Sequence, residues 1–255
     1  QVLDAPVVDK HHSSYADAWQ EYIGGSIVSG SNKRYITNLL MATAARVVVV
    51  PQDQGPLTVE DVTLPDPGPR QVVVKQFASG VCHSQLHQMH NPRQAPIILG
   101  HESTGVVLAS GSDVTHVEEG YTVKVTWVAR NAREATTAPW AATVALPDGG
   151  TAYSQNVFTW ADHTIADEQY VVKVADDINL EATAIIGCAV MTGAGAVENT
   201  AGVRRGESVA IFGVGGVGLS AVVAAATLEA DPIIAVDLDD EKLEFARQFG
   251  ATHTI

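Results

Sequence analysis

Two cysteines and one histidine carry the first chemistry of this chain. Cys82 and Cys188 are the only cysteines among 255 residues, and His101 lies between them in a Gly-His-Glu triplet. Two thiolates and an imidazole suit a borderline-soft divalent ion such as zinc. Three protein ligands leave a fourth position for water or substrate, where the metal acts as a Lewis acid on oxygen. Spacing alone leaves another reading open, two buried structural thiols and a hydrogen-bonded histidine. A different cluster also offers itself in CHSQLHQMH, where His83 and His87 share a face if the segment is helical, with His90 beyond them. No further ligand type accompanies those histidines, and His116 and His163 read as surface or locally bonded side chains.

A second chemistry sits near the C-terminal end. Gly213, Gly215 and Gly218 form G-x-G-x-x-G, written GVGGVG with Gly216 and Val217 inside it, between an apolar strand pattern and an Ala-rich helix pattern. The first glycine permits a tight turn, the second lets backbone approach a pyrophosphate, and the third lets helix and strand pack closely. The helix N-terminus then faces the anion. Asp237 follows 24 positions after Gly213, where a carboxylate accepts from ribose hydroxyls. Asp239, Asp240 and Glu241 come next and no arginine stands at 238, so a 2′-phosphate would meet negative charge. NAD is expected over NADP. Lys242, the one nearby cation, either contacts the ribose or serves as a solvated partner of those acids. The competing reading of the glycines is a helix start built only for packing.

The elements that must position these groups fall into three stretches. Residues 1–43 are polar, broken by HHSS, GGS and SGSN, and read as an extension; the chain begins at Gln1, as a processed or partial sequence would. Met41 is read as opening the unit that follows, or as an ordinary internal residue. Residues 44–184 are strand-rich, with strands expected at 47–50, 57–64, 71–79, 105–110, 120–128 and 169–174, a turn at PDPGP, and an unassignable Ala/Thr/Gly-rich stretch after Val128. Residues 185–255 read as strand 207–212, helix 218–230, strand 232–237 with Pro232 at its first position, helix 239–250 and the start of a third strand. The segment 180–201 before them reads as helix, break, helix. This is the opening of a parallel α/β sheet.

Composition sets outer limits. Hydrophobic residues make up 46% and charged residues 17%, enough apolar surface for packed domains and too much for a disordered chain. The net charge of −14 argues against nucleic acid or an anionic membrane as partner. No apolar run reaches membrane-spanning length. Two cysteines are no disulfide scaffold, so a reducing, cytoplasmic location is expected.

At the level of motifs the chain resembles the zinc-dependent medium-chain alcohol dehydrogenase family. ASGVCHSQLH at 78–87, LGHESTGVVLASGSDV at 99–114, GCAVMTGAGA at 187–196 and VAIFGVGGVGLSAV with IIAVDLDDEKLEFARQFGA look like its landmarks. G-H-E-x-x-G-x5-G is matched from Gly100 to Gly111. The resemblance implies a GroES-like, mostly-β catalytic domain followed by a partial doubly wound nucleotide-binding domain. It implies hydride transfer between an alcohol/aldehyde pair and NAD, with a small-molecule substrate and a homo-oligomer at full length. It assigns Cys82, His101 and Cys188 to one catalytic zinc, with Glu102 behind the metal or transiently on it. Ser84 would take the substrate hydroxyl proton and His87 would pass it towards solvent. His83 would lie near the pyrophosphate, and Thr192 near the nicotinamide or as a helix cap. Alternatives within the resemblance are a polyol or thiol-adduct dehydrogenase and a non-catalytic truncated relative.

The sequence also departs from the family. Gln85 replaces the usual Asp beside the ligands, and Gly120-Tyr121 replaces Gly-Asp. The four-cysteine lobe that holds a structural zinc is missing, so one zinc per chain is expected. The family runs on past Ile255 to complete the doubly wound sheet, so the last parallel strand is expected to leave an open edge.

Overall fold

The computed structural model describes residues 42–131 and 142–255, and the readings made for residues 1–41 fall outside them. The first half is two five-stranded sheets. One contains β1 (Thr43–Val50), β2 (Thr58–Leu64), β4 (Ile97–Ile98), β7 (Thr143–Ala145) and β8 (Thr151–Tyr153), in the order β2-β1-β4-β8-β7. The other contains β3 (Gln71–Ser79), β5 (Glu102–Ser110), β6 (Thr122–Thr126), β9 (His163–Asp167) and β10 (Val171–Lys173), in the order β10-β6-β5-β3-β9.

Side-chain alternation explains why these segments are strands. In β3, Val73 enters the core between the two sheets, with Val47, Leu64, Ile98, Phe158 and Ile165. Its neighbours Val72 and Val74 point the other way, into a second core with Val107, Val123, Val125 and Val171. A strand buried on both faces has no polar side to show, which is why QVVVK reads as a continuous apolar run. The sheets are stitched by Val48 N–H donating to the Trp160 carbonyl at 2.8 Å and by Asp162 N–H donating to the Arg46 carbonyl at 3.1 Å. The result is the nearly closed, GroES-like β domain.

The strand expected at 71–79 stands where the pattern put it, the one expected at 57–64 begins one residue later at Thr58, and β1 and β5 extend further in the N-terminal direction. The unassigned stretch holds β7, β8 and β9 among its described residues. The strand expected at 169–174 begins instead with a 3-10 turn, Glu168–Tyr170, because Asp167 caps it by accepting from Gln169 N–H at 3.1 Å.

The last part is a three-stranded parallel sheet, β11 (Val209–Phe212), β12 (Ile233–Val236) and β13 (His253–Thr254), in the order β11-β12-β13. Among the described residues β11 and β13 are the outer strands of this sheet. Pro232 precedes β12 and does not open it. Helices further along the chain pack one side: Ile211, Ile233 and Ala235 share a core with Ala221, Val222 and Ala225, and with Leu243 and Ala246. Those five belong to Gly216–Thr227 and Asp240–Gln248, the fourth and fifth helices. Before them come α1 (His83–His90), α2 (Leu180–Thr183) and α3 (Ala189–Gly195), so the later pair is α4 and α5.

Among the described residues no single helix is long and apolar enough to cross a membrane. One pair bent by 56°, Leu180–Gly187 with Ala189–Ala201, passes a length and composition test. That pair is fastened to the β domain, where Thr104 Oγ1 donates to the Leu180 carbonyl at 2.6 Å and Thr126 Oγ1 donates to the Gly187 carbonyl at 2.7 Å.

Candidate functional site

Cys82 is the N-cap of α1. Its sulfur accepts from the Gln85 backbone N–H and from Ser84 Oγ at 3.3 Å, while its own N–H donates to Gln85 Oε1 at 2.8 Å. Cys188 sits at the kink that ends one helical segment and starts α3, with φ −136° and ψ −76°. The break expected between 180 and 201 is therefore at the cysteine itself. His101 lies immediately before β5, after Gly100, whose φ of +97° turns the chain where an added Cβ would strike Thr159 and Trp160.

These three positions, 106 residues apart at the extremes, converge. The two sulfurs are 3.8 Å apart, and one ligand atom from each of Cys82, His101 and Cys188 lies within 4.8 Å of the others. The alternative histidine cluster does not form. His83 and His87 stack with centroids 5.0 Å apart, and His90 Nδ1 turns back to the Leu86 carbonyl at 2.7 Å.

The donor set fits zinc. His101 Nε2 is buried with no hydrogen-bond partner, which is costly unless something occupies that lone pair. Burial pushes the Cys188 thiol up to about 12, with the neighbouring Cys82 adding to it. A divalent cation held by these ligands would reverse both effects. Glu102, 2% exposed, has its carboxyl raised to about 7 by burial, against the pull of the Ala189 and Cys188 backbone N–H groups. It reaches across to the N-terminus of α3, which links the histidine's strand to the second cysteine's helix.

Ser84 and His87 lie exposed on α1, three residues apart. Thr192 is exposed within α3, where its N–H donates to the Cys188 carbonyl, so it is not a cap. Two neighbours of the site escaped the sequence reading. Thr126 holds the carbonyl just before Cys188. Trp127, half exposed, makes an edge-type ring contact with His101, with 6.4 Å between centroids. A tryptophan closing a strand was visible in GYTVKVTW, but nothing in the spacing aimed it at the histidine.

The glycine loop follows β11. Gly213 has φ +84°, and its N–H donates to the Val236 carbonyl at 2.7 Å. A Cβ on Gly218 would collide with the Gly213 carbonyl oxygen, whereas one on Gly215 would meet nothing within 4 Å. That open space lies at the N-cap of α4, where no side chain caps the first turn, so a pyrophosphate fits the cradle. Val214 N–H donates to Asp237 Oδ2 at 2.8 Å, the foremost cause holding that carboxyl below its usual range. Lys242 Nζ is 3.6 Å from Asp239 and 4.0 Å from Asp237. The helix expected at 239–250 is α5, capped by Asp239 accepting from Glu241 and Lys242 N–H groups.

Residues 68–176 match the alcohol dehydrogenase GroES-like domain. The chain is 34% identical over 223 residues to an S-(hydroxymethyl)glutathione dehydrogenase of Escherichia coli O1:K1, covering 78% of this chain and 60% of that one. The chain thus spans about three fifths of the length of the curated relatives it matches. It also resembles the crystal structure of an alcohol dehydrogenase zinc-binding domain protein from Burkholderia ambifaria, with TM-score 0.76 and 31% identity over 84% of this chain and 64% of that one. Benzyl alcohol dehydrogenase from Acinetobacter calcoaceticus gives TM-score 0.73 and 29% identity with the same coverage. Residues 68–176 thus carry the alcohol dehydrogenase GroES-like domain, and the Cys-His-Cys cluster of zinc-binding chemistry and the glycine-loop parallel sheet add to the chain's similarity to the zinc-dependent medium-chain dehydrogenase/reductase superfamily.

Proposed function

We propose that this chain is the catalytic and partial cofactor-binding portion of a zinc- and NAD-dependent dehydrogenase that oxidises the carbinol carbon of an aldehyde–thiol adduct. The convergence of Cys82, His101 and Cys188, with His101 Nε2 left without a partner, carries the reading. The similarity to S-(hydroxymethyl)glutathione dehydrogenase supports a thiol adduct ahead of the simple alcohol that the motifs first suggested. A plain alcohol is the second reading, supported by the likeness to benzyl alcohol dehydrogenase.

Residues 44–184 form the catalytic domain in this reading and residues 185–255 part of the nucleotide-binding domain. Cys82, His101 and Cys188 hold the metal, and the glycine loop from Gly213 to Gly218 holds the dinucleotide. When bound, zinc would supply Lewis acidity towards the substrate oxygen and NAD would supply the hydride acceptor. The chain's own work is positioning and proton handling. Ser84 Oγ, 3.3 Å from the Cys82 sulfur, stands beside the ligands, where it takes the substrate hydroxyl proton. His87, one turn along on the exposed side of α1, passes the proton to solvent. A Cβ on Gly216 would come 3.9 Å from that of Ala189, so the first turns of α3 and α4 are neighbours. The residue after Cys188 therefore borders the dinucleotide loop. Asp237 favours NAD, because a 2′-phosphate would face Asp237 and Asp239 with only Lys242 in answer.

The test is elemental analysis together with NADH absorbance. Purified protein should carry one zinc per chain and lose it on Cys82→Ser. It should reduce NAD faster with S-(hydroxymethyl)glutathione than with benzyl alcohol. Less than about a tenth of an equivalent of zinc after metal-replete expression refutes the metal assignment. A zinc-loaded chain inert towards both substrates supports a non-catalytic member instead.

A further inference from the structure

His83 and His87 are exposed on α1, four residues apart and so one above the other on the helix. Their rings lie nearly parallel, with an interplanar angle of 15° and 5.0 Å between centroids. Among the described residues neither ring has a hydrogen-bond or ion-pair partner. His90, the third histidine of the helix, is withdrawn, because its Nδ1 is engaged by the Leu86 carbonyl at 2.7 Å. What remains is a pair of imidazoles open to solvent. Two histidines at i and i+4 on one helix face are an arrangement that binds a divalent metal. A metal–nitrogen bond of about 2.1 Å puts an imidazole centroid roughly 3.2 Å from the ion, so two rings in adjacent coordination positions lie about 4.5–5.2 Å apart. The observed 5.0 Å falls in that range. Turning the rings about χ2, a broad torsion in histidine, aims both nitrogens at one ion without moving the helix.

The donors set the kind of ion. No carboxylate joins the two rings among the described residues, where the one cluster of three metal-ligand side chains is Cys82, His101 and Cys188. Calcium and magnesium want oxygen ligands. Imidazole suits late first-row divalent ions such as copper(II), nickel(II) and zinc, with water in the other positions. The opposing charges are weak. A zinc ion bound by two thiolates would be neutral in sum, so the neighbouring site does not repel a second cation. The positive end of α1 lowers cation affinity by at most about fivefold, whereas a second ring on the same ion raises it about 100-fold. The net charge of −14 also favours a cation.

We propose that His83 and His87 form a second, exposed metal site that chelates a late first-row divalent cation beside the zinc ligands. An ion there takes up a lone pair of His87, the residue assigned above to carry the proton to solvent. Metal in excess of the first equivalent therefore inhibits. The inhibition rests on the function proposed above; the binding does not.

The experiment uses the whole, zinc-loaded chain, with nickel(II) as the probe and three variants, His83→Gln, His87→Gln and His90→Gln. Equilibrium dialysis with elemental analysis counts nickel and zinc separately, and circular dichroism reports folding. His11 and His12 give a background common to all four proteins. Above it, wild type and His90→Gln should each take up nickel with the same affinity and an unchanged zinc content. His83→Gln and His87→Gln should each bind that nickel about 100-fold more weakly. All three substituted side chains are exposed, and if one variant of the pair does not fold, the other decides. Equal nickel affinity in all four proteins, or nickel that enters only as zinc departs, overturns the proposal. A chain that holds no zinc, yet loses its nickel with either histidine of the pair, refutes the zinc assignment and leaves the second site standing.

Discussion

Gly216 and Gly218 lie two residues apart at the start of the same helix, and the structure assigns opposite signs to the same substitution. Replacing a helical glycine by alanine removes backbone freedom from the unfolded chain and is worth about 0.5–1 kcal/mol where there is room. At Gly216 there is room: the nearest atom to an added Cβ is Ala189 Cβ at 3.9 Å, an ordinary contact. Gly216→Ala should therefore stabilise the protein by roughly 0.5 kcal/mol.

At Gly218 the added carbon would overlap the Gly213 carbonyl oxygen, with Ile211 Cγ2 at 3.5 Å behind it. Relief requires α4 to move away from the turn that follows β11. Overpacking of this kind costs about 1–3 kcal/mol, which exceeds the propensity gain. Gly218→Ala should therefore be destabilised by roughly 1–2 kcal/mol net. Because the movement displaces the helix N-terminus, NAD affinity should fall by at least about tenfold, while zinc content is unchanged. Urea unfolding gives the stabilities, and quenching of tryptophan fluorescence on titration with NAD gives the affinities. If Gly218→Ala matches or exceeds Gly216→Ala in stability, the close packing of turn against helix is wrong, and with it the placement of the pyrophosphate.

Two further outcomes follow from the hydrogen bonds around the site and the sheets. Thr126→Val leaves the Gly187 carbonyl without the donor now 2.7 Å away. The zinc-loaded protein should lose about 1–3 kcal/mol in urea unfolding, with Thr126→Ser restoring most of it; equal stability of all three would remove Thr126 from the support of Cys188. Asp162 is partly buried, which raises its carboxyl, but Arg46 N–H and His163 outweigh this and hold it below its ordinary value of 3.8. A carboxyl depressed by folding adds stability above its unfolded pKa and loses it as pH falls through the folded one. The gap between wild type and Asp162→Asn should thus be full near neutrality and close as pH drops below 3.8; a gap independent of pH would show that Asp162 acts by shape alone.

The sequence by itself determined the local parts of this protein. The parallel βαβα order, the glycine turn, Asp237 just after β12 and the acidic start of α5 were legible, because each depends on residues a few positions apart. Strands of seven to nine residues such as β2 and β3 showed their alternation or their two-sided burial directly. The two-residue β4 and the three-residue β7 and β8 did not, since so few residues carry no period and are strands only because neighbours supply the hydrogen bonds. For the site, residue types named the ligands, and family resemblance ordered them. Only the tertiary structure brought Cys82, His101 and Cys188 within 4.8 Å, turned His90 away from the neighbouring histidines, and tied the helix of Cys188 to β6 through Thr126. Burial and the direction of a hydrogen bond are properties of packed surroundings, and a chain read in one dimension has none.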